Sequence, residues 1–313
     1  LTLTGWQERV AAKNEGFLMR KDRLDGVGFA ALLGVAGILA INQIVIKLVD
    51  KGLQPVFLAG ARSALAIVFV GGWLWYRGLL GRVKLSDLGP GALIGAVFAM
   101  EFLGLFTALD LTTVAHTSLI MYSMPVWMGL AAHFFLPGER ATPVKAAGLV
   151  LAFAGTGWAI ASRGGAQAGQ ISWLGDFCAL IGAWGWAGTA FIARTTRLRE
   201  AGPEAQLFWM VLVSAPILLA LSPLFGPLIR DVRPSDWLWL VFQAGVVVTG
   251  GFISWLWLLS VYPTSTVASF SFVTPILAIL LGHVVFGESL SLTLLGSAAL
   301  VSIGIVLINR KAS

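Results

Sequence analysis

Cysteine is nearly absent from this chain of 313 residues: Cys178 stands alone. One thiol excludes an internal disulfide and any cysteine-rich metal site. Histidine is almost as scarce, at three residues, and a zinc site needs three or four convergent ligands. Charge is scarce too. Only 12% of residues are Asp, Glu, Lys or Arg, where a soluble domain carries about 25%. Missing as well are a phosphate-binding glycine loop, an ATPase motif, a catalytic triad and any buried pairing of nucleophile with base. No enzyme, metal or cofactor is therefore expected.

Apolar residues are what the chain has, at 58% of the sequence. A soluble protein of this size needs fewer. A polytopic membrane protein needs this many, because every lipid-facing side chain must be apolar. A span takes about 20 apolar residues. Ten such runs are predicted, at about 27–49, 55–76, 88–109, 112–136, 143–162, 173–195, 204–225, 236–260, 265–286 and 291–308. They are called spans one to ten below. The expected fold is all-α, a polytopic membrane protein.

The chain repeats itself. Residues Ala115–Val126 contain Tyr122-Ser123-Met124-Pro125 and lead to a polar turn at Pro137-Gly138-Glu139 and a second apolar run. Residues Ser265–Ile276 contain Phe272-Val273-Thr274-Pro275 and lead to the turn Gly287-Glu288-Ser289 and a closing apolar run. The two prolines lie 150 positions apart, as do His133 and His283, and the two turn glutamates 149. Earlier stretches match as well. Phe29–Gly37 pairs with Phe177–Gly185 at an offset of 148, and Pro55 with Pro203 at the same offset. The expected domains are a first five-helix repeat at 27–162 and a second at 173–308, flanked by an N-terminal segment 1–26 and a C-terminus 309–313. Residues before Met19 fit either a non-native extension or an amphipathic interfacial piece.

Five is odd, so the second repeat is expected to enter the membrane from the opposite side. The charges agree. With the N-terminus in the cytoplasm, cytoplasmic segments hold 15 of the 21 Lys and Arg, and the outer side holds five. That bias follows the positive-inside rule and puts both termini in the cytoplasm. It also explains the net charge of +6 without a nucleic-acid partner. Inverted repeats are a mark of secondary transporters, with the substrate site near the midplane between the repeats.

The doubled pattern of a proline-bearing span, a Gly-Glu turn and a Gly-rich span resembles the EamA-type members of the drug/metabolite transporter superfamily. So do the paired Phe-x-Ala-Leu-x-Gly-x-x-Gly openings and Trp186-Ala187. The resemblance covers about residues 26–311. Within that family, Met100-Glu101 and Tyr122-Ser123-Met124-Pro125 are similar to the bacterial aromatic amino-acid exporters. The resemblance implies the bacterial inner membrane, alternating access, and a cavity lined by spans one, three, four, six, eight and nine.

Candidate residues follow. Glu101 lies deep in span three, and its repeat partner is Gly251. A carboxylate there either binds a substrate ammonium or a proton, or is protonated and packed between helices. Tyr122 and its partner Phe272 precede the prolines by three residues. Pro125 and Pro275 are expected to kink their helices and to accommodate gating. Met124 and Trp186 join the site by resemblance. Trp184, two residues from Trp186, is expected to face elsewhere. Asn42 is assigned to the cavity, and Gln43 to bonding between helices. Arg62 is expected to be structural, snorkelling to the outer side or meeting a carbonyl. His133 and His283 suit packing or gating better than metal binding. The expected partners are a small-molecule substrate, an amino acid or similar metabolite, and the lipid bilayer.

Overall fold

The computed structural model describes residues 24–135, 142–161, 172–262, 267 and 270–309. The turn at Pro137–Ala141, with Glu139, lies outside the described residues, as do the segment before Leu24, Ser265 and Arg310–Ser313. Among the described residues there is no strand beyond one isolated bridge, Leu53 to Ile229.

Among the described residues, nine helices are long and apolar enough to cross a membrane. They run Gly26–Val49, Pro55–Tyr76, Leu85–Leu111, Val114–Phe135, Pro143–Ala161, Trp173–Thr195, Pro203–Phe225, Pro234–Trp255 and Leu292–Asn309. The described part of span nine, Phe270–Phe286, is shorter. The described parts of all ten predicted spans are thus largely helical, and the fold is that of a polytopic all-α membrane protein.

Local chemistry starts several of the helices. The Asp25 carboxylate accepts from Gly28 N–H at 2.9 Å and caps span one. Ser172 does the same for span six, accepting from Leu174 and Gly175. Gln54 caps span two, and Pro55 follows it at the first helical turn, where no N–H is needed. Gly287 ends span nine at φ +67°, a left-handed conformation that glycine adopts without a Cβ clash.

Contacts between the helix ends sort into two sets. Lys47, closing span one, donates to Leu109 O at 3.0 Å and to Thr112 O, at the end of span three. Arg230, between spans seven and eight, donates to Asp50 O at 3.0 Å and lies 3.6 Å from Asp110. Glu288, after span nine, meets the start of span four. Each of these joins segments that follow an odd number of crossings. On the other side, Tyr262, closing span eight, donates to Asp25 at 2.6 Å. These contacts gather connections that follow odd-numbered spans at one end of the bundle, and the Tyr262–Asp25 bond joins two that do not.

Small residues set the packing of the helices. A Cβ on Gly148 of span five would meet Gly304 O of span ten at 2.8 Å. A Cβ on Gly60 of span two would meet Leu219 of span seven at 2.9 Å. Without a hydrophobic drive between helices in lipid, such close approach is what holds them. Spans three and six pack in the same way through Gly104, Gly182 and Gly185.

Among the described residues, spans four and eight are irregular at mid-depth. Span four breaks into Val114–Met121 and Met124–Phe135. Span eight carries a π-helix, Gln243–Gly251, between two α-helical pieces. Such irregular backbone costs hydrogen bonds and concentrates at functional sites.

Candidate functional site

The break in span four follows from Pro125. Proline has no N–H, and its ring disfavours helical geometry at the preceding residue. It stands second in the piece Met124–Phe135. Ser123 tidies the break by donating to Ile120 O at 2.6 Å, and its hydroxyl accepts from Trp127 Nε1 at 3.1 Å. Pro275 stands third in Val273–Phe286, just after a 3-10 turn at Phe270–Phe272. Both prolines thus open the second part of their spans.

Tyr122 sits in the break and is buried. Its ring meets Trp186 edge to face, with centroids 5.3 Å apart and an interplanar angle of 87°. Its hydroxyl bonds the Thr274 side chain, beside Pro275. One residue thereby joins spans four, six and nine. Phe272 is half-buried, packed against the core cluster that holds Tyr122, with its ring 6.5 Å from Phe270. Met124 is half-buried at the start of the second piece. Met121, not singled out from the sequence, packs over Gly182. Trp184 points elsewhere than Trp186, as its helical spacing required, and meets Trp127 at 5.4 Å.

Glu101 is buried against span six. A Cβ on Gly185 would strike its backbone at 2.6 Å, so only glycine there lets span three come this close. The Thr189 hydroxyl is 3.4 Å from Glu101 Oε2 and 2.8 Å from Trp186 O. A hydroxyl has one proton to give. The shorter contact takes it, and the Glu101 carboxyl is left with a weak partner.

Arg62 does not behave as the sequence suggests. It is 2% exposed, so it does not snorkel. Among the described residues no backbone carbonyl is bonded to it. Its guanidinium stacks on Phe102 at 4.1 Å and Phe106 at 5.0 Å, and Nη1 lies 3.4 Å from Asn42 Oδ1. The sequence signal was present: a lone cation inside an apolar span. Its aromatic cover was not visible, because Phe102 and Phe106 lie on another helix. Asn42 is buried and turned toward Arg62. Its neighbour Gln43 accepts from the Ser118 hydroxyl at 2.7 Å, tying span one to span four.

The Gly-x-x-Gly pairs of the two repeats differ. Gly182 and Gly185 are packed hard against span three. Their counterparts Gly34 and Gly37 have nothing within 4 Å of an added Cβ. Related sequences are closed in one repeat and open in the other. His283 Nδ1 lies 2.7 Å from Glu288 O, and the exposed His133 ring meets Phe134 edge to face at 5.0 Å. No three of His, Cys, Asp and Glu converge among the described residues.

The model of the EamA-like transporter family matches this chain twice, over residues 26–161 and 173–310. The chain is 29% identical to the "Uncharacterized transporter YvbV" of Bacillus subtilis (strain 168), over 82% of this chain and 83% of that one. It is 22% identical to the "Uncharacterized transporter YoaV" of the same organism, over 88% and 94%. A solved crystal structure superposes with a TM-score of 0.61 at 22% identity, covering 90% of this chain and 94% of the other. At that identity the likeness shows the fold alone.

Proposed function

The chain belongs to the EamA-like transporter family, and on that premise we propose that it is a secondary exporter of small amphipathic metabolites, above all aromatic amino acids. It works in the bacterial inner membrane, with both termini in the cytoplasm. The observation that carries this reading is the junction of Tyr122, Trp186 and Thr274 beside Glu101. An aromatic ring can stack where two aromatic side chains already meet edge to face. An ammonium can bond a buried carboxylate that has only a weak partner of its own.

Transport proceeds by alternating access. The unequal packing of the two Gly-x-x-Gly pairs supports this. In the opposite state the repeats exchange roles: span one closes on span eight, and span six loosens from span three. Cation binding at Glu101 alone would suit a proton-coupled exporter of cationic drugs, but the buried Arg62 weighs against a purely cationic ligand. Sugar phosphates would need several cations at the site, and Arg62 is a single one.

Purified protein in proteoliposomes, assayed for efflux of labelled amino acids, tests the proposal. Saturable flux of phenylalanine or tryptophan above that of empty vesicles is expected. Flux of amines without flux of any amino acid would overturn it.

A further inference from the structure

Arg62 is a buried charged group that the fold satisfies poorly. A guanidinium carries a full charge and five N–H donors. Burying it without acceptors is costly, because charge and donors both lose water. Here the two faces are covered by Phe102 and Phe106. The donor edges are only partly served. Nη1 reaches Asn42 only at 3.4 Å, and Nε has no partner. Among the described residues no carboxylate lies within 4.0 Å of the guanidinium. Glu101 is close enough for the two charges to act on one another, yet they form no pair.

A second group is in the same condition. Gln243 is 0% exposed, and neither of its amide atoms has a partner. It opens the π-helix of span eight, which packs against spans one and two, the helices of Asn42 and Arg62. These residues share a depth. Asn42 lies seven positions from Val49, Arg62 seven from Pro55, Gln243 nine from Pro234 and Glu101 ten from Leu111. At about 1.5 Å per residue, all four sit about 10–15 Å below the helix ends on the Glu288 side.

Resting on the amino-acid reading above, we infer that Arg62 is the receptor for the carboxylate of a zwitterionic substrate. Asn42 and Gln243 are its neutral partners, and Glu101 holds the cationic end. The planar fork of arginine matches a carboxylate with two parallel bonds. Two opposite charges kept near one another but unpaired fit a ligand that brings both complements. A preformed Arg62–Glu101 bridge would have to be broken at each cycle. The stacked phenylalanines fix the guanidinium in orientation before the ligand arrives. The site thus discriminates an amino acid from the amine left when its carboxylate is removed.

The test compares L-phenylalanine with phenethylamine, which share a ring and an ammonium. In proteoliposomes of the wild-type protein, phenethylamine should compete with labelled L-phenylalanine about tenfold less well than unlabelled L-phenylalanine does, the loss of one charge-assisted pair. Arg62→Gln should lower L-phenylalanine flux about tenfold at equal amounts of folded protein, without lowering phenethylamine flux. Arg62→Lys, which keeps the charge and loses the fork, should fall between. Equal competition by phenethylamine in the wild type would overturn the inference while leaving amino-acid transport standing. So would an equal loss of both fluxes in Arg62→Gln. If no variant folds, the wild-type competition alone decides. A wild type that moves phenethylamine and no amino acid would bring down the amino-acid reading itself, and this inference with it.

Discussion

The carboxylate of Glu288 accepts the backbone N–H of Val114 at 2.7 Å, across 174 positions of sequence. Its other oxygen accepts from Ala115 N–H at 3.0 Å. A negative charge at a helix N-terminus meets unpaired N–H groups and the positive end of the helix dipole. The Gly-Glu turn of the second repeat is therefore a latch on span four. A charge-assisted bond of this kind is worth about 1.5–3 kcal/mol. Glu288→Ala should lower the thermal unfolding temperature in detergent by several degrees. Glu288→Gln, whose amide oxygen still accepts, should fall between Ala and wild type. An unchanged unfolding temperature in Glu288→Ala would mean that the latch carries no stability.

The two Gly-x-x-Gly pairs give opposite expectations. Gly185→Leu should fail to fold, because even a Cβ would strike the backbone of Glu101 at 2.6 Å. Gly37→Leu should fold, since nothing lies within 4 Å of its added Cβ. It should nevertheless lose most flux, because span one can no longer close on span eight. Size-exclusion profiles report folding, and efflux reports the cycle. Full flux in Gly37→Leu would contradict the exchange of roles between repeats.

Trp186 meets Tyr122 at 5.3 Å, and aromatic pairs contribute about 0.5–1.5 kcal/mol beyond their buried area. Trp186→Leu should therefore weaken the apparent affinity for phenylalanine about two- to tenfold and that for leucine less. Competition curves for the two amino acids in one vesicle preparation check this. Equal losses would assign Trp186 to helix packing.

Asp50, at the end of span one and outside it, has its carboxyl pushed up to about 7, first by burial and then by the nearby Asp110. The folded protein thus holds a proton there that an unfolded chain gives up near pH 4. As pH rises from about 4 to about 7, the folded state loses stability relative to a chain without this group. Asp50→Asn should raise the unfolding temperature at pH 8 and leave it unchanged at pH 4. A stabilisation that is the same at both pH values would rule out titration of Asp50 as its cause.

Much of the fold was legible in the sequence. The ten spans follow from runs of apolar residues, and the duplication from offsets such as that between Pro125 and Pro275. Both are local in the chain. The break at Tyr122-Ser123 was signalled by Pro125. The π-helix at Gln243–Gly251 was not, since its sequence, QAGVVVTGG, contains no proline and reads as an ordinary span. Arg62 was misread because its burial depends on Phe102 and Phe106 of span three. Thr189 and Thr274 were missed for a similar reason: threonine is common in apolar helices, and only the fold sets these two against Glu101 and Tyr122. The unequal packing of Gly34 and Gly182 was not legible, because the two repeats carry the same motif and only the fold sets one of them against span three.

The most direct measurement is efflux of labelled L-phenylalanine from proteoliposomes holding equal amounts of folded wild-type protein and Glu101→Gln. Gln keeps the shape and hydrogen bonding of the side chain and removes the ionisable group. A site that binds the substrate's ammonium needs that group. Glu101→Gln should insert and elute as the wild type does, lose most of its flux, and recover part of it as Glu101→Asp. Wild-type flux in a well-folded Glu101→Gln would contradict the account and return Glu101 to packing between spans three and six.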